Sequence, residues 1–160
     1  SGDLEPTGIQ SVREPSAAVS VTNFRSPDGR DITLAGLMSA NSGLELFDVS
    51  SPSTPISVGR YRDPGRPQTT FIGAAATVGY VRVQMHGSRA FLADVYPPFE
   101  LQMIDVSDPT APSLVTSFVP PSTPRDIAVS GQLVLLAIGP TPGAATSTTS
   151  PGELILRLKS

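Results

Sequence analysis

The stretch Gly43-Leu-Glu-Leu-Phe-Asp-Val-Ser-Ser-Pro-Ser-Thr-Pro55 recurs as Glu100-Leu-Gln-Met-Ile-Asp-Val-Ser-Asp-Pro-Thr-Ala-Pro112, 57 residues later. The shared core is Leu-x-x-x-Asp-Val-Ser-x-Pro-x-x-Pro. A recurrence of this kind marks a repeat architecture, and the rest of the chain is best read around it. A second match precedes the first in each unit. Gly29 and Ala35 correspond to Gly87 and Ala93, and these to Gly131 and Ala137, with six residues from Gly to Ala each time.

Working outward, each unit resolves into short apolar runs separated by Gly and Pro. Ala18–Phe24, Val81–Met85 and Ile127–Ser130 alternate as half-buried strands do. Each leads through a Gly-containing turn into a second run: Ile32–Leu37, Ala90–Val95 and Leu133–Ile138. Third runs follow at Leu44–Val49, Leu101–Val106 and Leu154–Leu158, and fourth runs at Ile56–Tyr61 and Leu114–Val119. The unit predicted is a meander of four antiparallel strands, the material of β-propeller blades.

The fold class that follows is all-β: about three four-stranded antiparallel blades of a β-propeller, as part of a larger ring. Residues 6–15 read as an orphan outer strand, because Pro6–Pro15 has the spacing of Pro55–Pro64 and Pro112–Pro121. Residues 16–64 make blade 1, 65–121 blade 2, and 122–160 an incomplete blade 3, all in one propeller segment. Known rings have roughly four to eight blades, and an open wedge leaves strand edges unpaired. The expected partners are therefore other blades of a longer parent chain or additional copies of the same chain.

Composition sets the outer limits. The 160 residues include 17 Pro and 14 Gly, which excludes helix bundles and coiled coils. No apolar run approaches the ~20 residues of a membrane-spanning helix, so membrane insertion is not expected. The chain opens on Ser1, so a targeting segment is expected to lie upstream or to have been removed. A net charge of −3 argues against a nucleic-acid partner. With no cysteine there is no disulfide framework and no thiolate chemistry.

The segment Leu101-Gln-Met-Ile-Asp-Val-Ser-Asp-Pro-Thr-Ala-Pro112-Ser-Leu-Val resembles the LVIVP repeat of bacterial and archaeal surface proteins. The motif is carried at Asp48–Pro55 and Asp105–Pro112. It breaks down in the third unit, where Arg157-Leu-Lys-Ser160 stands in place of Asp-Val-Ser-x. The resemblance implies propeller blades and an extracellular or cell-envelope setting. It brings no catalytic residues.

The recurring polar residues read as turn chemistry. Asp48 and Asp105 stand where a strand ends, placed to accept backbone N–H groups two residues on, and the prolines after them end ladder pairing. A calcium site at Asp105 and Asp108 is disfavoured, because such sites need six to eight oxygens and Ser51 replaces Asp108 in the first unit. His86 is the single histidine and reads as a solvated turn residue. Without a neighbouring nucleophile motif it forms no triad. Asp94 and Glu100 flank Tyr96-Pro-Pro-Phe99 and read as charges solvated at a loop. No catalytic residue, metal ligand or cofactor is assigned.

Ligand contacts are expected among the long loops, which share one face of an up-and-down blade. The candidates there are Arg60, Tyr61, Arg62, Arg66, Tyr96 and Phe99, a basic and aromatic set suited to a carboxylate or a glycan. The function expected is a non-catalytic extracellular or cell-surface propeller segment, an interaction and assembly scaffold with a protein or glycan as ligand. The alternatives are the propeller part of a carbohydrate-active enzyme with its catalytic residues outside this chain, and a spacer without a ligand.

Overall fold

The structure is a computed structural model that describes residues 17–26, 31–38, 43–51, 53–64, 80–94, 100–140 and 151–158. It is all-β, and no helix occurs among the described residues. The strands are β1 (Ala17–Arg25), β2 (Asp31–Met38), β3 (Gly43–Asp48), β4 (Ile56–Arg62), β5 (Tyr80–His86), β6 (Arg89–Asp94), β7 (Glu100–Asp105), β8 (Ser113–Phe118), β9 (Thr123–Ser130), β10 (Leu133–Gly139) and β11 (Gly152–Arg157). They form three antiparallel meanders: β1-β2-β3-β4, β5-β6-β7-β8 and β9-β10-β11. The expected strand at residues 6–15 lies outside the described residues.

The sheets repeat one another down to single registers. Leu44 pairs with Tyr61 as Leu101 pairs with Phe118, and Ile32 pairs with Asp48 as Arg89 pairs with Asp105. Even the irregularities recur. A bulge skips Val58 in β4 and Val115 in β8, while a second skips Val19, Val81 and Arg125 in the first strand of each sheet. Bulges add twist to a strand at a defined place, so identical bulges give the sheets one curvature.

The register corrects one sequence correspondence. Ala93 pairs with Leu101, and the equivalent Leu44 pairs with Gly36, so the counterpart of Ala93 is Gly36 rather than Ala35. The reason is a longer first hairpin, with Arg25 facing Asp31 where His86 faces Arg89. The short hairpins turn on Gly87 and Gly131, each at φ +57 in the first of two loop positions. That is the left-handed region where only glycine sits without strain.

In the second sheet β6 and β7 are covered on both faces. Val83, Met85, Ala90, Leu92, Ile104 and Val106 pack on Leu44, Leu46, Val58 and Tyr61 of the first sheet. Phe91, Ala93, Leu101 and Met103, one step along each strand, pack on β9, β10 and β11 of the third. The alternation of a pleated strand thus supplies two seams from one sheet. The residues that the third sheet turns to its seam occupy the same places as those of the second: Ile127 for Val83, Val134 for Ala90, Leu136 for Leu92 and Leu156 for Ile104. Fully burying one such aliphatic side chain contributes about 1.5–3 kcal/mol. By contrast every residue of β8 is exposed.

Candidate functional site

At the end of the sheets where β4 and β6 finish and β7 begins, the first seam turns polar. Tyr61 lies opposite Leu44, between Arg60 opposite Glu45 and Arg62 opposite Gly43. Alternation sends the Tyr61 side chain into the seam and both arginines to the other face of the sheet. The three residues therefore do not make one basic-aromatic patch. Arg60 and Arg62 are half-buried. Arg66, Tyr96 and Phe99 lie outside the described residues.

Around Tyr61 the second sheet presents Asp94, Glu100 and Gln102. Asp94 and Glu100 are register partners across β6 and β7, and Leu92 is the partner of Gln102. Gln102 Nε2 donates to Asp63 Oδ2 at 2.7 Å and to Glu100 Oε2 at 3.1 Å, which ties the exit of β4 to the entry of β7. Asp94 is fully buried, so it is not the loop-solvated charge that the sequence suggested. It shares a face with Ala90 and Leu92, and that face is covered by the first sheet. Glu100 is half-buried.

The phenol of Tyr61 is the most perturbed group at this corner. The residue is 6% exposed, and burial, reinforced by the Asp63 and Glu100 carboxylates, pushes its pKa up to about 12. The phenol therefore stays protonated at any physiological pH. Its Oη is buried and has no hydrogen-bonding partner among the described residues. An unpaired buried hydroxyl costs about 1–3 kcal/mol.

The repeats supply an internal control. The places of Tyr61, Asp63, Asp94, Glu100 and Gln102 are taken in the next seam by Phe118, Pro120, Ile138, Gly152 and Leu154. The same scaffold is built there with no ionisable group at any of the five positions. The polar set is thus a local departure that the stacking of sheets does not require. Asp63, Asp94 and Gln102 were not among the residues that the sequence singled out as a site. Reading the repeats against each other at 94 and 138, 100 and 152, and 102 and 154 is the signal that finds two of them.

The opposite end carries the turns. Asp48 Oδ1 accepts from the Ser50 backbone N–H at 2.9 Å, and Asp105 Oδ1 from that of Ser107 at 2.8 Å, as expected. Asp108 Oδ1 accepts from both the backbone N–H and the hydroxyl of Thr110, at 2.9 and 2.7 Å. Arg89 pairs with Asp105 at 2.5 Å. The Ser107 hydroxyl and N–H, with help from Arg89, hold the Asp105 carboxyl below its ordinary pKa. His86 is exposed at the end of β5. Among the described residues no three His, Asp or Glu side chains are grouped to hold a metal ion.

The half-buried carboxylates of Asp63 and Glu100 therefore remain reachable as acceptors at this corner, while the phenol is closed off from solvent. No curated protein matches the chain. The family model for the LVIVD repeat matches residues 39–63 and 82–119, which span β3–β4 and nearly all of β5–β8 and include all five residues of the polar corner. The match falls on the two units that carry the Asp-Val-Ser-x-Pro turn, and it agrees with the repeat that the sequence resembles. Residues 39–63 and 82–119 of the chain are thus similar to the LVIVD repeat.

Proposed function

We propose that the three sheets are blades of a β-propeller segment that acts as a non-catalytic interaction and assembly scaffold at the cell surface. The observation that supports it is the recurrence of register and of the first-strand bulge in all three sheets, with the first three strands of the second and third sheets turning equivalent residues to the sheet before them. Four-stranded meanders stacked face to face through equivalent places are the construction of a propeller ring, which further blades would close. The partners are then further blades of a parent chain or other copies of this one. The extracellular setting rests on the resemblance to surface-protein repeats.

Light scattering combined with amide exchange tests the reading. The chain alone is expected to form a defined oligomer, with the amides of Ile9 and Val12 protected only in the assembled species. A monomer at all concentrations in which those two amides are protected would refute assembly through the missing strand.

A further inference from the structure

The third sheet has one covered face and one open face. Val134, Leu136, Leu154 and Leu156 point into the second seam. Leu133, Leu135 and Ala137 alternate with Val134 and Leu136 on β10, so they lie on the face turned away from the second sheet, as do Glu153, Ile155 and Arg157 on β11. Ile155 is 60% exposed there, and Leu133, Ala137, Glu153 and Arg157 are exposed with it. Leu135 and Ile155 hold the places of Phe91 and Met103, on which the second sheet receives the third. By the same repeat, the open face is one that another sheet covers.

That face is complementary to itself. Register sets it in three rows across β10 and β11: Leu133 with Arg157, Leu135 with Ile155, and Ala137 with Glu153. A two-fold axis along the middle row lays an identical face against it with the strands antiparallel. Leu135 and Ile155 then meet their own copies. Each Leu133 meets the partner's Ala137, large against small, and each Arg157 meets the partner's Glu153. Asp126, beside Ala137 on β9, is held by Arg82 at 3.1 Å and stays out of the contact. Head-to-tail stacking finds no open face at the other end. Glu45 and Phe47 alternate with the seam residues Leu44 and Leu46, so they face away from the second sheet, and both are already buried. We infer that the outer face of the third sheet is a two-fold interface between two copies of this chain, centred on Leu135 and Ile155 and flanked by two pairings of Arg157 with Glu153. The inference deepens the assembly reading by naming the face. It rests on that reading only in taking a second copy as partner, and it does not need ring closure.

Sedimentation velocity of the full chain over a concentration series tests it. A three-stranded face lies at the small end of specific interfaces, so a reversible dimer is expected that fills by about 1 mM. Glu153→Arg and Arg157→Glu should each turn two attractions into two repulsions and raise the dissociation constant about tenfold. Mixed in equal amounts, the two variants should form a heterodimer as tight as the parent dimer, because every Arg then faces a Glu. The double variant Glu153→Arg/Arg157→Glu should dimerise as the parent does. A loss that came from misfolding would not be rescued by mixing. The inference is overturned if the parent stays monomeric to about 1 mM, if both single variants associate as the parent does, or if mixing them restores nothing. Association that ignores both charges leaves assembly through residues 6–15 standing. A charge-dependent dimer whose Ile9 and Val12 amides are protected in the monomer as well refutes that assembly and upholds this interface.

Discussion

Gly59 of the first sheet lies against the backbone of Pro109 in the β7–β8 turn of the second. A Cβ on Gly59 would overlap the Pro109 carbonyl oxygen and stand 3.1 Å from Thr110 Cα. Pro109 is buried. The Asp-Val-Ser-x-Pro turn of one unit is thus pressed onto the fourth strand of the unit before it. This gives the motif a second purpose beyond ending a strand: its proline backbone is part of the contact between sheets. Thr116, the counterpart of Gly59 in β8, is exposed and bears a full side chain.

Gly59→Ala is therefore expected to destabilise the first seam. The atom that would be struck belongs to a backbone rather than to a flexible side-chain end, so the turn must move. Overpacking of this kind costs about 1–3 kcal/mol. Chemical denaturation should show a lower midpoint for Gly59→Ala and an unchanged one for Thr116→Ala.

Leu92 and Leu136 hold equivalent places in the two seams, and both are fully buried. Truncation of either to Ala should cost about 2–5 kcal/mol. Similar losses in urea unfolding would mean that both seams belong to one cooperative unit. A loss at Leu92 alone would mean that the third sheet unfolds separately.

The Asx-turn at Asp105 should survive Asp105→Asn and not Asp105→Ala. The alanine variant is expected to lose about 1 kcal/mol, the usual value of a capping hydrogen bond. Because the folded carboxyl titrates below its ordinary value of 3.8, its contribution is present above that pH. It is lost as the pH falls through the lowered folded value. Stability measured from pH 6 down to pH 2 should fall less steeply for Asp105→Asn than for the parent.

Tyr61 should be visible in an alkaline titration. Of the three tyrosines, one is expected to ionise near pH 12, and Tyr61→Phe should remove that step from the absorbance curve near 295 nm. The folded phenol titrates above its ordinary value of 10.0, so the stability linked to it is complete below pH 10 and declines as the pH rises toward 12. The Phe variant should lack that decline.

Much of the architecture was legible from residue order. Period-two alternation, Gly turns and the doubled Asp-Val-Ser-x-Pro motif located the eleven strands found among the described residues, because those signals act between residues close in the chain. The one misalignment, Ala35 for Gly36, arose where a longer hairpin shifts spacing without changing register. The turn role of Asp48 and Asp105 was equally plain, since an Asx-turn involves only the next two residues.

The polar corner was another matter. Asp94 and Glu100 read as loop charges because their segment is short, polar-flanked and proline-rich. They are drawn into a seam only because β6 and β7 turn one face toward a sheet that ends some thirty residues earlier in the chain. Residue order alone establishes the strands, the turns and the recurrence of the unit, all consequences of local sterics and period-two patterning. Which face of each strand is covered, that Tyr61 points away from its two arginine neighbours, and that its phenol is buried within reach of the charges of Asp63 and Glu100 follow from packing between sheets. Desolvation depends on every element that closes over a group, and those elements are distant in sequence.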